Sequence, residues 1–364
     1  MSFASRPSWE TLSVEFTSRY ELLEEIGVGG SGAVYKARRT SDGAVVAAKI
    51  MSKSRIGPRA LVKTLHWQPT TGLSKTKDGA MVVPTEAYVL KRLNHPGCIG
   101  FVDLQACPLY YYLVMEFHGQ SWQCSAEENS VLPPSPPVTP PSRSLEIPAS
   151  PCSSGFVSLP STITPPTYAL SAPPTPKLPL RAPLMRRSSS DLFEAIEQVR
   201  RFNEPAARYV FHQIVATVCD LAAVGIRHND LKDENIVLDE RLHVKLIDFG
   251  SCVLWDTTKP APLQTGRFFG TSTFAAPEVF SETPYDGEAA EVWAIGVILS
   301  LLLTGSHPFA SPHDARIGFI APLKVAVSPL AFDVLRRCLT VDVTRRIRLH
   351  DLLQHPWILE ASRV

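Results

Sequence analysis

The feature that most limits how this chain can fold is a proline-rich stretch in its middle. Half of the 32 prolines fall between residues 133 and 183, mixed with serine and threonine and with almost no acidic or aromatic residue. Such a composition buries too little apolar surface to offset the entropy lost when a chain becomes ordered. We therefore expect residues 121–190 to be a disordered insertion, and any packed structure to form from the sequence on either side of it.

The first folded part, residues 20–120, is predicted to be a small lobe dominated by β-structure. Strand-like runs from Tyr20 to Ile50 are separated by turns that contain glycine, which predicts three antiparallel strands. Residues 51–82 have weak periodicity and several glycines and prolines, so we interpret them as a loop insertion before a helix. Two more strand-like runs complete the lobe.

The second folded part, residues 191–359, is predicted to be larger and mainly helical. Apolar residues recur with the period of a helix on both sides of a loop-and-strand region that ends near Val253. An N-terminal extension of residues 1–19 and a tail of residues 360–364 flank the two lobes. The sequence therefore predicts an α+β fold of two lobes with the insertion between them.

Charge, cysteine spacing and hydropathy exclude several classes of protein. Lysine and arginine number 36 against 35 aspartates and glutamates, so the net charge of +1 favours neither nucleic acid nor an anionic membrane as partner. The seven cysteines show no metal-ligand spacing, which fits reduced thiols. No signal sequence is visible, and the longest apolar run, Val292 to Leu303, is too short to span a bilayer. We expect a cytoplasmic protein, without excluding the nucleus.

A glycine-rich turn between the first two predicted strands is a candidate phosphate-binding loop. At Gly27, Gly29 and Gly32 the backbone N–H groups can approach phosphate oxygens without a Cβ in the way. Alone, the pattern is equally consistent with an ordinary hairpin, and no helix follows it as in a dinucleotide-binding motif. Lys49 lies among apolar residues on the next strand, and Glu86 lies on the following helix, where it can face the lysine. Taken singly, each of these is also consistent with a surface side chain.

Two further motifs decide between these interpretations. His228-Asn229-Asp230-Leu231-Lys232-Asp233-Glu234-Asn235 is followed by Asp248-Phe249-Gly250, and together they combine a base, a phosphate-binding cation and two metal ligands. With the glycine turn and Lys49, this set resembles the eukaryotic protein kinases. The resemblance extends from Tyr20 to about Leu359, apart from two insertions, and implies the two-lobed protein kinase fold.

The resemblance also implies a role for each motif residue. Asp230 would orient the substrate hydroxyl and accept its proton, and Lys232 would stabilise charge on the transferring phosphoryl group. Asn235 and Asp248 would hold Mg²⁺, with ATP as the phosphoryl donor. Residues of the small lobe, the hinge and one strand of the helical lobe would bind the nucleotide: Ile26, Gly27, Val28, Gly29, Gly30, Ser31, Gly32, Ala33, Val34, Ala47, Lys49, Glu86, Met115, Glu116, His118 and Val237.

Details of the motifs narrow the resemblance. Lys232, two residues after the catalytic aspartate, and Thr271, before Ala276-Pro277-Glu278, indicate serine/threonine rather than tyrosine specificity. The segments MEFHG, DLFEAI, NDLKDENIV and KLIDFGS are similar to those of the PAS kinase group in the calcium/calmodulin-dependent branch. The Pim kinases are a near second. The nineteen residues before Tyr20 are too few for a PAS sensor domain. The resemblance further implies an ion pair between Glu278 and Arg346.

The activation segment lacks two parts of the usual phosphorylation switch. Asn229 replaces the arginine that would bind an activating phosphate, and Arg267 occupies the usual phosphoacceptor position. We therefore expect activity without activation-loop phosphorylation, although Thr265 together with Arg227 leaves a displaced version of the switch open.

The expected substrates are proteins with arginine or lysine about three residues before the target hydroxyl, because Asp191 and Glu234 occupy positions that face this side chain in basophilic kinases. The segment 133–183 carries Ser/Thr-Pro pairs and PxxP spacings that suit SH3 or WW domains or proline-directed kinases. Ser189 follows two arginines and fits a pseudosubstrate or an autophosphorylation site, whereas an inert tether is the plainer alternative.

Two other functions remain open at this point. A pseudokinase scaffold would keep the fold and bind partners without catalysis, and the departures Asn229 and Glu291 (where an aspartate is usual) are the residues that favour it. A small-molecule kinase of related fold is disfavoured, because Gly270 to Glu278 resembles a segment that positions peptides.

Overall fold

The structure is a computed structural model, and it describes residues 12–29, 32–67, 72–73, 75–119, 191–264, 270–281 and 283–360. The insertion predicted for 121–190 therefore lies outside the described residues, together with the proline-rich segment 133–183 and Ser189. The same holds for Thr265 and Arg267 of the activation segment.

The small lobe is built on a five-stranded antiparallel sheet whose strands follow one another in space as residues 20–28, 32–39, 45–52, 110–116 and 101–106. The five predicted strands are all present. Their bounds are Tyr20–Val28 for β1, Gly32–Arg39 for β2, Val45–Ser52 for β3, Phe101–Ala106 for β6 and Tyr110–Glu116 for β7.

The N-terminal extension contributes to the core of this lobe. Helix α1, Val14–Arg19, places the fully buried Phe16 against the outer face of the sheet. The Phe16 ring stacks on Tyr112 with 4.3 Å between ring centroids and on Tyr20 with 5.4 Å. The backbone N–H of Ser13 also donates to the Tyr112 hydroxyl at 2.9 Å. Residues 12–19 of the extension are thus an integral part of the small lobe.

The loop predicted for residues 51–82 is in part a second sheet, so that prediction was wrong for these residues. Strands β4, Leu61–Thr64, and β5, Met81–Pro84, pair antiparallel, with Leu61 opposite Pro84. Strand β5 runs directly into helix α2, Thr85–Leu90, which carries Glu86. The weak sequence periodicity is explained by the short length of the strands, four residues each.

The helical lobe contains α3 to α9 and two small strand pairs. Strands β8 (Ile226–Arg227) and β11 (Val253–Leu254) pair, as do β9 (Ile236–Leu238) and β10 (Val244–Leu246). The helices are Leu192–Val199 for α3, Glu204–Ala223 for α4, Gly287–Thr304 for α5, Pro312–Ile317 for α6, Pro329–Cys338 for α7, Leu349–Leu353 for α8 and Pro356–Leu359 for α9.

Helix α5 forms the centre of the helical lobe. The Asp286 side chain caps its first turn by accepting from the backbone N–H groups of Glu288 and Ala289, and Gly305 ends it in the left-handed region at φ +69°. Its mean hydropathy of 1.5 over 18 residues is high enough for a membrane span, but 83% of the helix is buried inside the protein. A helix that is apolar over most of its surface is explained by core packing.

Candidate active site

The glycine-rich turn joins β1 to β2 at the edge of the cleft between the lobes. The backbone N–H of Gly29 donates to the carbonyl oxygen of Gly32 at 2.8 Å, while Gly30 and Ser31 lie outside the described residues. At Gly32 a Cβ would overlap with the carbonyl oxygen of Ile50, so close approach of β2 to β3 requires glycine there. At Gly27 a Cβ would have no neighbour within 4 Å, which leaves this side of the turn open for a ligand.

Lys49 forms the electrostatic centre of the cleft. Its Nζ lies 2.7 Å from Glu86 Oε2 and 2.9 Å from Asp248 Oδ1, which confirms the predicted pairing with Glu86. Burial alone would lower the pKa of Lys49, but the charges of Asp248 and Glu86 outweigh this effect and raise it. The lysine is therefore cationic and held in place between α2 and the Asp-Phe-Gly turn.

The Asp-Phe-Gly turn is packed with its phenylalanine inward. Phe249 is fully buried against the ring of His228, at 4.9 Å between centroids, and His228 Nε2 lies 2.9 Å from the carbonyl oxygen of Ile247. Asp248 adopts the left-handed region at φ +61°, which aims its carboxylate into the cleft. The positive charge of Lys49 lowers the pKa of Asp248, so this carboxylate is ionised.

Asp230 is held from two sides. The Asn235 amide donates to the Asp230 backbone oxygen at 2.8 Å and to Oδ2 at 3.2 Å, and the Thr271 backbone N–H donates to Oδ1 at 3.1 Å. Lys232 Nζ lies 4.0 Å from Asp230 Oδ2 and 3.1 Å from Glu234 Oε2. The predicted base, the predicted cation and the segment expected to position peptides thus meet at one point.

Asn235 and Asp248 are suited to bind a divalent metal ion together. The Asn235 backbone oxygen accepts from the N–H of Ile247 at 3.0 Å, so Asn235 adjoins the residue that precedes Asp248. The Asn235 amide nitrogen is engaged by Asp230, which leaves its side-chain oxygen for a metal, and oxygen ligands are those that Mg²⁺ prefers. Among the described residues, no group of three or more His, Cys, Asp or Glu side chains forms an alternative metal site.

The two departures from the usual motif are structurally compensated. Asn229 adopts a left-handed backbone at φ +66°, a conformation that asparagine tolerates better than most residues. Its backbone N–H donates to Glu291 Oε1 at 2.9 Å, so the longer acid on α5 still supports the catalytic loop. Burial raises the pKa of Glu291 to about 7. Sequence reasoning marked Glu291 as a departure and did not detect this supporting contact.

The predicted adenine site lies between the sheet and β9. Ala47 pairs with Met115 across β3 and β7, and both are buried, as is Val237. Val34 is partly buried against the same core, but the Ala33 side chain points to the outer face of the sheet, so only its backbone can border the nucleotide.

The remaining predicted nucleotide residues lie at the rim and the hinge. Ile26 is partly buried and Val28 is 53% exposed. The Glu116 carboxylate accepts from the backbone N–H of Gly100 at 3.0 Å, and His118 Nε2 lies 3.0 Å from the carbonyl oxygen of His243. These contacts fix the side chains of Glu116 and His118 at the hinge.

Comparison with known proteins agrees with this geometry. The protein kinase domain family matches residues 20–134 and 180–358. This chain belongs to the protein kinase family. Membership implies the use of ATP and a divalent metal ion. The pairing of Glu278 with Arg346 that the resemblance implied is confirmed, with 3.0 Å between Oε2 and Nη2.

Several curated relatives of the kinase are serine/threonine kinases. GIN4 of Saccharomyces cerevisiae is 29% identical over 349 residues, which cover 93% of this chain and 24% of that protein. The prk-2 kinase of Caenorhabditis elegans is 28% identical over 353 residues, which cover 96% of this chain and 60% of that protein. A PAS domain-containing serine/threonine-protein kinase of Mus musculus is 36% identical over 177 residues, covering 48% and 12%. The chain thus spans less than two thirds of each of these relatives.

Proposed function

We propose that this protein is a serine/threonine protein kinase that transfers the γ-phosphate of Mg-ATP to hydroxyl groups of protein substrates. The observation that carries the proposal is the assembled cleft, in which Lys49 pairs with both Glu86 and Asp248 while Asn235 and Thr271 hold Asp230. Phosphoryl transfer needs mainly alignment and charge neutralisation, and these contacts supply both.

Each residue of the cleft has a separate task in this proposal. Lys49 orients the α- and β-phosphates, and Lys232 offsets the charge of the transferring group. Asp230 accepts the proton of the substrate hydroxyl. Asn235 and Asp248 hold Mg²⁺, which neutralises phosphate charge when bound. The left-handed backbone at Asp248 and the buried Phe249 keep this carboxylate directed into the cleft, where the phosphates would bind.

Catalysis in this proposal does not depend on phosphorylation of the activation segment. Asn229 offers no guanidinium to bind a phosphate on this segment, and the usual phosphoacceptor position is Arg267. Dephosphorylated enzyme is expected to retain its turnover. A large loss of activity that tracks removal of phosphate from Thr265 would contradict this view.

The proposed substrates carry basic residues before the target hydroxyl. Asp233, which sequence reasoning did not select, adds a third carboxylate to Asp191 and Glu234. Burial, together with the charges of Glu234 and Asp191, raises the pKa of Asp233 to about 6. An arginine side chain would relieve this repulsion and form charge-assisted hydrogen bonds. The proximity of these three carboxylates is the feature that supports a preference for arginine.

Broader assignments extend the proposal. The match to the mouse PAS domain-containing kinase supports a place near the PAS group of the calcium/calmodulin-dependent branch, with the Pim kinases as the other candidate. We also propose a cytoplasmic protein, and contacts of the segment 133–183 with SH3 or WW domains or proline-directed kinases.

The deciding experiment is transfer of ³²P from Mg-ATP to a degenerate peptide array. Wild type is expected to label serine and threonine peptides with upstream arginine, and Asp233→Asn is expected to raise the KM of those peptides about tenfold. Asp256→Asn changes an exposed carboxylate and is the matched control. Binding of ATP without any phosphate transfer would favour the pseudokinase scaffold. Labelling of small molecules but not of peptides would favour a small-molecule kinase of related fold.

A further inference from the structure

The helix that carries Glu86 is short. Helix α2 spans six residues, Thr85–Leu90, and Glu86 lies in its first turn. A helix of this length has little stability of its own, because the cost of its first turn is repaid by few hydrogen bonds. Its position, and with it the Lys49–Glu86 pair, must therefore be fixed by what packs against it.

The segment between β3 and α2 supplies contacts at both ends of this helix. At the N-terminal end, β5 continues into α2 without a loop, and the paired strand β4 holds β5 in register. At the C-terminal end, Lys91 Nζ lies 4.2 Å from the centre of the Trp67 ring. Such a cation–π contact is favourable even for an exposed lysine such as Lys91.

The same segment is also attached to the main sheet. Trp67 is 4% exposed and its ring packs edge-on against Phe101 of β6 at 6.0 Å. The Tyr111 hydroxyl on β7 donates to the carbonyl oxygen of Val82 at 3.3 Å. Gly72, at φ +72°, lies so close to the carbonyl oxygen of Ala106 that a Cβ would overlap with it. Three separate contacts thus connect the segment to β6 and β7.

We propose that the described residues between β3 and α2 (53–67, 72–73 and 75–84) act as a built-in activator that holds α2 against the sheet in the position where Glu86 pairs with Lys49, with Trp67 as the principal positioning residue. The inference rests on the proposed kinase function. It accounts for a formed Lys49–Glu86 pair in a chain with no arginine at Asn229, because the segment provides the restraint that a phosphorylated activation loop would otherwise provide.

The test uses the full-length chain and two readouts, only one of which depends on activity. In Trp67→Ala, backbone amides of α2 are expected to exchange with deuterium about tenfold faster, while those of α4 and α5 keep their protection. The kcat/KM for a basic peptide should fall about tenfold. Trp67→Phe keeps an aromatic ring and should restore both values to within about threefold of wild type.

Two further variants separate the proposal from a general loss of structure. Leu65→Ala changes an exposed side chain two residues away and should leave both readouts unchanged. Tyr111→Phe removes one hydrogen bond to the segment, keeps the ring and should give a smaller shift of α2 exchange in the same direction. Unchanged α2 exchange in Trp67→Ala, or equally faster exchange in α4 and α5, would overturn the proposal. If the wild-type protein showed no kinase activity but Trp67→Ala still gave faster deuterium exchange in α2, only the proposed kinase function would be contradicted.

Discussion

Asp230 is the residue on which the proposed chemistry depends most. Asn235 and Thr271 hold its carboxylate, so replacing one oxygen by nitrogen in Asp230→Asn keeps the shape and removes the base. We expect kcat to fall by a factor of about 10²–10³, as for loss of a single electrostatic catalyst, with ATP binding unchanged. Steady-state kinetics and calorimetric titration of Mg-ATP measure the two effects.

The exposed Asp256 offers a control for this change, since Asp256→Asn leaves the cleft intact. If Asp230→Asn kept the turnover of the wild type, Asp230 would not be the catalytic base.

Glu291 should make stability depend on pH. Because burial raises its pKa to about 7 in the folded state, the folded protein binds more protons than the unfolded chain between the ordinary value of 4.5 and 7. The contribution of Glu291 to the free energy of unfolding should therefore be most favourable below pH 4.5. It should fall as the pH rises to about 7, by at most about 3 kcal/mol.

Glu291→Gln should flatten this part of the profile, because glutamine does not titrate and its Oε1 can still accept from Asn229. Urea denaturation at pH 5.5 and pH 8 compares the two proteins. Equal pH dependence in both would show that Glu291 is not the titrating group.

The contribution of helix α1 to the stability of the small lobe can be measured with a single substitution. Phe16 is fully buried between α1 and the sheet and stacks on Tyr112. Phe16→Ala should lower the free energy of unfolding of the small lobe by about 3–5 kcal/mol, through lost apolar contact and the cavity left behind. Thermal unfolding followed by near-UV circular dichroism measures this loss. Val14→Ala on the exposed side of the same helix is the control, since Val14 is 83% exposed.

The elements differ in how well the sequence predicts them, for physical reasons. The main sheet was predictable because its strands of six to nine residues are long enough to be recognised as strand-like runs between turn signals. Strands β4 and β5 have four residues each, too few for a period to be recognised, and the partners face each other across many intervening residues. The buried position of Phe16 depends on a contact with Tyr112, far along the chain, which local patterning does not contain.

For the site, motif residues were predictable because the chemistry fixes both residue type and spacing. Lys49 and Glu86 come together as the sequence implied, and Asp248 joins them through an ion pair with Lys49. The supporting contact of Glu291 was not predictable, because it depends on how far a longer side chain reaches from α5 in three dimensions. Ala33 was selected as a nucleotide-binding residue from its position in the motif, but its side chain lies on the outer face of the sheet. The motif gives the position of a residue and not the face of the strand on which its side chain lies.

At the scale of the whole molecule, one ion pair connects the hinge to the helical lobe. Lys245 Nζ on β10 lies 3.0 Å from Glu116 Oε2 at the end of β7, and its side chain is 16% exposed. It also donates to the carbonyl oxygen of Cys98 at 3.4 Å. The loop around Cys98 is itself attached to β10, because the N–H of Ile99 donates to the carbonyl oxygen of Leu246 at 3.0 Å. The hinge is thus fixed to the helical lobe by side-chain and backbone contacts together.

Lys245→Met should loosen this connection while keeping most of the apolar stem of the side chain. The hinge backbone at Glu116 borders the predicted adenine site, so a less restrained hinge should weaken Mg-ADP binding about three- to tenfold, the equivalent of ~1 kcal/mol for a partly buried ion pair. Isothermal titration with Mg-ADP measures the dissociation constant. Lys259→Met removes an exposed ion pair with Asp256 and should leave it unchanged. An unaltered constant in Lys245→Met would mean that the backbone bonds of the loop around Cys98 hold the hinge without the ion pair.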